Sequence, residues 1–408
     1  VGKTSSASAP SLDEIAEAYV KLVLAIGRHD PNYVDAYYGP PAWRQEAEAG
    51  PPAPISALLA RSRELLRRVR SCAPSDRREF LEKQLVAAEG FLRRLSGERM
   101  SLAEEARLLY DIEPPARSRG EFERARQKLD SLLPGSGPLE ARMAAFRKRF
   151  FVPGDRLAET VKACLELLRE RTVAKAPLPD GEGVSLAFVQ KKPWGAYNWY
   201  QGDLRSRIEV NTDLPIELPR LLRTIAHEAY PGHHTYNILL ENRLARGKGW
   251  KEFTVYPLYS PQSLLAEGTA DAGISVLFSD GEIVEVLERR LAPLAGLENE
   301  DFHRYEAISR ALQELKEVRG EAAKMLLDEG KPEEEVAAFI ERYGLETPER
   351  ARKALDFART YRSYVFTYTA GEDLVRAYIG EGEDRADRFF RLLQRPATPS
   401  GLLSSPGT

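Results

Sequence analysis

Three of the five histidines in this 408-residue chain, His227, His233 and His234, fall within the run HEAYPGHH. An imidazole followed at once by a carboxylate is a pairing that metal-assisted hydrolysis uses. One side chain gives a nitrogen lone pair to the ion, and its neighbour takes a proton from the attacking water. His227 is therefore read as a zinc ligand and Glu228 as the general base, the division of labour in HExxH enzymes.

The second histidine departs from that pattern, coming six or seven residues after the first instead of four. On an unbroken helix, six steps of about 100° miss the His227 face by roughly 120°, and seven return to it about 10.5 Å along the axis. Pro231 and Gly232 lie in this interval. Proline removes a helical hydrogen bond and glycine accepts unusual dihedrals, so the pair is expected to bulge the helix and bring a histidine back to the metal. His233 is favoured and His234 stays a candidate. A helix C-terminus would account for glycine and histidine here, but not for Glu228 beside His227 or for the acidic segment that follows.

That segment, SLLAEGTADAGISVLF, has helical character and sets Glu267 and Asp271 four residues apart, on one face. Glu267 is read as the third ligand. Asp271, one turn on, is placed to accept a hydrogen bond from the far nitrogen of a ligating histidine, fixing its tautomer and raising its basicity. A solvated acidic face is the plainer alternative. Ala266, Gly268, Ala270, Ala272 and Gly273 are too small and apolar for one, and indicate close helix packing. The expected cofactor is one Zn2+ ion with a fourth position open to water.

HEAYPGHH, followed by AEGTADAG and later by FTYTAGEDLVRAY, resembles the domain of unknown function 885 family, bacterial proteins that are mostly helical, zincin-like metallopeptidases. The likeness runs from Val184 to Ile379 and includes VNTDLP ahead of the first histidine, while the N-terminal helical half matches only in general character. It implies a gluzincin arrangement similar in logic to thermolysin, in a helix-rich build more like thimet oligopeptidase. His227, His233 or His234, and Glu267 would hold the metal, with Glu228 as base. The family usually has Leu-Gln after the paired histidines and Trp after Glu-Gly, where this chain has Thr235, Tyr236 and Thr269, a difference that bears on pocket shape and specificity.

Such chemistry also needs a donor for the oxyanion that develops on the attacked carbonyl. Tyr361, Tyr364 and Tyr368 stand at helical spacing, and Tyr368 matches the tyrosine of the family's YxxG element, so the role is assigned to it, with packing into the core as its alternative. Core packing is the expectation for Tyr361 and Tyr364. His303 is a weaker alternative donor; like His29, it reads as a surface histidine.

These residues require a scaffold. Residues 11–175 read as an N-terminal region of amphipathic helices, with capping-box starts at Ser11 to Glu14 and Ser101 to Glu104 and with Cys164 on a buried face. Residues 176–408 read as the zincin-like catalytic region, and residues 1–10 as a disordered leader. Within 184–211 the runs VSLAFVQ, AYNWYQG and RSRIEVN are expected to form a small antiparallel sheet, the last two joined by a hairpin at GDLRS. RSRIEVN would then offer a strand edge to an extended peptide. Asn198, Trp199 and Tyr200 are candidates for lining the cleft, though cross-strand packing explains them as well. Arg205 and Arg207 suit a peptide carboxylate by charge alone and are left unassigned. The metal-binding helices fall in 214–278 and the C-terminal helices in 283–394, with helices at 283–291, 300–328, 332–342, 347–368 and 371–393.

The expected fold is mainly α, a zincin-like helical metallopeptidase architecture with a small antiparallel β-sheet next to the active-site helix. A net charge of -3, from 59 basic and 62 acidic residues, argues against nucleic acid as a partner. A mean hydropathy of -0.42 and the lack of any apolar run near the roughly 20 residues of a membrane span exclude an integral membrane protein of the helical kind. Cys72 and Cys164 alone make neither a disulfide scaffold nor a cysteine cluster. VGKTSSASAP at the start leaves the compartment open, cytoplasmic or exported after processing of a signal, and oligomeric state is not encoded in any motif. The expected activity is zinc-dependent hydrolysis of a peptide. The alternatives are a zinc hydrolase of another small amide or ester, and an inactive zincin-like module whose metal only braces the fold.

Overall fold

A computed structural model describes residues 11–192 and 194–404; the leader at 1–10 lies outside the described residues. The fold is mainly helical with two small sheets, in keeping with the expected class. Ser101 and Glu104 form the reciprocal capping box. At Ser11 only the forward half forms, its side chain accepting from the Glu14 amide. Among the described residues no helix is long and apolar enough to cross a membrane.

The sheet beside the histidines contains β2 (Gly183–Val189), β3 (Ala196–Gly202) and β4 (Arg205–Asn211). β3 and β4 form the expected hairpin, turning through Asp203 and Leu204 at φ of 53° and 58°, the left-handed values that match strand twist. The sheet is not wholly antiparallel, however. Its order is β2-β4-β3, and β2 runs parallel to β4 with Leu186 opposite Ile208. The reason lies in the β2–β3 connection, which crosses the end of β4 instead of turning back on itself. Asn211 at that end donates to the Lys192 carbonyl at 3.0 Å and the Trp194 carbonyl at 2.8 Å, and the Lys191 amide donates to Asp213 at 2.8 Å. RSRIEVN is thereby the central strand, paired on both sides, and offers no edge to a peptide. A second, two-stranded sheet joins β1 (Val34–Tyr37) to β5 (Val255–Pro257).

Two hydrophobic cores fill the molecule, and both draw on segments either side of residue 175. One gathers Tyr19, Phe91 and Leu109 with Leu264, Phe366 and Phe389. The other gathers Phe122, Val161 and Cys164 with Leu222, Ile225 and Leu287. Between them runs the acidic helix, Pro261–Leu277, with Leu265 and Val276 in the first core and Ile274 and Leu277 in the second. A helix walled on all sides must be apolar or small all round, as this one is apart from the residues it holds toward the site. It crosses the helix Val365–Ile379 backbone to backbone, since a Cβ on Gly268 would stand 2.3 Å from the carbonyl carbon of Gly371.

The C-terminal helices are more broken than periodicity predicts. A continuous helix over 347–368 is replaced by Pro348–Tyr361, a short turn, and Val365–Ile379, the break falling at Arg362 with φ of 51°. Glu105 causes it from far away. Its carboxylate accepts from Arg362 at 2.6 Å and from the Ser363 hydroxyl at 3.0 Å, stabilising a conformation that arginine alone disfavours.

Candidate metal centre

The first histidine helix, Leu218–Glu228, ends where proline and glycine approach, and a second helix, His233–Leu240, begins after them. The expected bulge is thus a complete break of four residues. Gly232 permits it by close approach, because a Cβ there would stand 1.9 Å from the His227 carbonyl oxygen. Pro231 packs on the acidic helix, near enough that a Cβ on Gly273 would meet its ring at 2.7 Å. The restart returns His233 to His227, with ring centroids 4.6 Å apart and planes at 89°.

His234 is turned away. It is fully buried, its Nδ1 2.8 Å from the Ser206 hydroxyl of β4 and its Nε2 3.0 Å from Glu182. Tyr230 also donates to Glu182, and Arg169 pairs with it at 2.6 Å. The candidate metal role for His234 is therefore corrected. Its side chain locks the loop to the sheet, because consecutive residues at a helix start point to different sides.

Glu267 faces both remaining histidines, with Oε2 3.4 Å from His227 Nε2 and Oε1 3.6 Å from His233 Nε2. One ligand atom from each of the three lies within 4.8 Å of the others. Donors about 2.0–2.1 Å from a tetrahedral ion stand about 3.3–3.4 Å apart, so the cluster has the dimensions of a metal site. Asp271 accepts from His227 Nδ1 at 2.8 Å, as the one-turn spacing predicts. That bond aims His227 Nε2 at the Glu267 carboxylate. Oε2 of Glu267 is buried and has no hydrogen-bond partner. The Tyr364 hydroxyl donates to Oε1 at 2.8 Å. Tyr364, expected to serve only core packing, does pack on Tyr110, Tyr259 and Phe357, but it also orients this carboxylate.

Burial by itself would lower His227, yet Asp271 and Glu267 hold it well above the ordinary imidazole range. His233, where burial dominates, is lowered to about 4. Burial would raise Glu267, but the two histidines and the Tyr364 donor bring it below its ordinary value. Glu228 is buried beside the cluster and raised to about 7, first by burial and then by Glu267, Asp271 and Asp35, against the opposing effect of His227. Its backbone carbonyl accepts from Asn198 of β3 at 2.6 Å, so Asn198 anchors the base's backbone. Tyr200 donates to Glu241 instead, and Trp199 is 40% exposed.

Tyr368 is 36% exposed, its ring meets that of Tyr364 edge-on at 5.6 Å, and its phenol is raised first by lost hydration and then by Glu267, Asp271 and Glu228. Tyr361 packs on Phe357 and Tyr364, as expected. His303 is exposed and stands 3.9 Å from Glu288, in keeping with a surface histidine. Two site residues escaped the sequence reading. Asp35 of β1, hydrogen-bonded by the Tyr197 hydroxyl of β3, is raised to about 6 by burial and by Glu267, with Tyr197 opposing. Neither residue lies near a recognisable motif, and a lone acid in NYVDAYYG carries no spacing signal.

Asp35, Glu228, Glu267 and Asp271 thus share one locality. Among the described residues no lysine or arginine pairs with any of them. Two imidazole nitrogens, an orphaned carboxylate oxygen and a surplus of negative charge fit a divalent cation, and histidine with carboxylate suits zinc among the common ions.

No protein-family model matches this chain, and no curated protein sequence matches it. Among solved structures the fold is similar to a protein from Colwellia psychrerythraea provisionally described as a lipoprotein, with a TM-score of 0.54 and 15% identity over 85% of this chain. The chain spans 65% of that neighbour's length. A protein of unknown function from Shewanella oneidensis, likewise provisionally described as a lipoprotein, gives a TM-score of 0.53 and 12% identity over 98% of this chain and 79% of the other. These likenesses are of fold alone. An M32 carboxypeptidase from Deinococcus radiodurans R1 aligns over 97% of this chain and 94% of its own at 13% identity, but its TM-score of 0.40 supports no argument.

Proposed function

We propose that this chain is a zinc-dependent hydrolase that cleaves peptide bonds, with His227, His233 and Glu267 as the metal ligands, and that it belongs to the domain of unknown function 885 family. One observation carries the reading: one ligand atom each of His227, His233 and Glu267 lies within 4.8 Å of the others, with Oε2 of Glu267 buried and without a hydrogen-bond partner. Without a metal, a proton on His227 offsets the Glu267 charge, and a divalent ion would take the place of that proton. The motifs HEAYPGHH and AEGTADAG support the family assignment.

A zinc ion held there would supply Lewis acidity, polarising a substrate carbonyl and lowering the pKa of water to about 7. The chain's own residues do the remaining work. Glu228, adjacent to His227 and buried beside it, takes the proton of the attacking water and passes it to the leaving amine. Tyr368 donates to the oxygen on which negative charge develops. Asp271 and Tyr364 act through the ligands, each holding one in the orientation the metal needs. Of the two compartments left open by the sequence, export accords with structural neighbours described as lipoproteins.

The test is metal analysis together with hydrolysis of a mixed peptide library, with and without chelator, for wild type and Glu228→Gln. One zinc per chain in both proteins, with turnover only in the untreated wild type, is the expected result. Wild-type turnover in Glu228→Gln would remove the base, and a zinc-loaded wild type that cleaves no peptide would leave only a metal-braced module.

A further inference from the structure

Asp35 reaches the site from a strand far away in sequence. Register in the β1–β5 pair shifts between Val34, opposite Pro257, and Ala36, opposite Tyr256, so Asp35 is the additional residue of a β-bulge. Bulges re-aim a side chain at the cost of a ladder position, and they recur beside active sites. The Tyr197 hydroxyl donates to one oxygen of Asp35, and the other has no hydrogen-bond partner among the described residues. No basic side chain pairs with it there, and its partner Tyr197 is next in β3 to Asn198, which bonds the Glu228 carbonyl, so β3 ties Asp35 to the site.

Charge counting shows what is missing. Glu267 and Asp271 face two imidazoles that must be neutral to ligate, and a divalent ion offsets the charges of those two carboxylates. Asp271 is engaged with His227 and Glu267 with the metal, which leaves Asp35 and Glu228. Glu228 has a proton to carry. Asp35 has no such task, and a partly buried carboxylate without a counter-ion is costly until a ligand brings one. The ammonium of a peptide amino terminus supplies that charge next to the first peptide bond. A peptide carboxylate placed there would be repelled by Asp35, which has no basic partner among the described residues.

We infer that Asp35 binds the free amino terminus of the substrate, so that the centre trims peptides from that end. The inference rests on the hydrolase reading and names its substrate class. The experiment compares trialanine, N-acetyl-trialanine and trialanine amide. Binding is measured by calorimetry to zinc-loaded Glu228→Gln, and kcat/KM on the wild type. Acetylation is expected to weaken both by about tenfold or more, the loss of a desolvated charge pair, while amidation changes them by less than about threefold. Asp35→Asn is expected to keep its zinc and erase the discrimination between free and acetylated peptide. Equal binding of the acetylated peptide, a loss on amidation instead, or no binding of any of the three overturns the inference. Should Asp35→Asn fail to fold, the blocked-peptide comparison on the other two proteins decides alone. Hydrolysis indifferent to acetylation refutes only the amino-terminal inference; binding that discriminates without any turnover refutes only the hydrolase reading.

Discussion

The Tyr364 hydroxyl donates to Oε1 of Glu267 at 2.8 Å and leaves Oε2 of the same carboxylate buried without a donor. The tyrosine thus selects which oxygen is free for a cation. Tyr364→Phe keeps the ring packing and removes only this bond. Zinc affinity, measured by competition with a chromophoric chelator, is expected to fall about 10–100-fold, as for other partners of metal ligands. An unchanged affinity would reduce Tyr364 to a packing residue.

His233 and His234 are neighbours with opposite tasks, so their alanine variants should separate cleanly. His233→Ala is expected to lose stoichiometric zinc with little change in the urea midpoint of the metal-free protein. His234→Ala should keep zinc and lose about 1–3 kcal/mol of stability, since Glu182 and Ser206 are left with unmet hydrogen bonds. Metal loss in His234→Ala with His233→Ala unaffected would reverse the assignment.

Glu182 makes the loop anchor acid-sensitive. Burial would raise its carboxyl, but the donors His234, Tyr230 and Arg169 prevail and bring it from 4.5 to about 2. An unfolded chain takes up the proton at higher pH than the folded one, so this stabilisation is complete above about 4.5 and is lost as pH falls toward 2. Urea titrations across that window should show a shallower acid loss in Glu182→Gln than in wild type. Parallel curves would mean that Glu182 contributes no pH dependence.

Gly268 lies one residue after Glu267, at the crossing with Gly371. A Cβ there would be 2.3 Å from backbone atoms that have no side-chain freedom to retreat. Gly268→Ala is expected to cost about 1–3 kcal/mol and to weaken zinc binding as the acidic helix shifts. Thermal melts and zinc titration check both effects; a variant with wild-type melting would show that the crossing can relax.

The site was legible where its chemistry is local. Adjacency gave the His227–Glu228 pair, and one helical turn gave Glu267 and Asp271, because those relations depend only on helix geometry. The hairpin at GDLRS was readable for the same reason. What escaped depends on contacts between distant segments. Arg362 leaves helical geometry because Glu105 holds it from 257 residues away. Asp35 meets Tyr197 across 162 residues, and RSRIEVN became a central strand because Asn211 pins the preceding loop over it. Even at HEAYPGHH, proline and glycine announced an interruption but not its extent, and which histidine turned inward was settled by Glu182 and Ser206 claiming the other.

Diffraction from crystals grown with zinc, recorded at the zinc absorption edge, tests the central claim most directly. The expected result is one anomalous peak per chain, about 2.0–2.2 Å from His227 Nε2, His233 Nε2 and a Glu267 carboxylate oxygen. Absence of any peak in that cluster, or a peak at His234 and Glu182 instead, would contradict it.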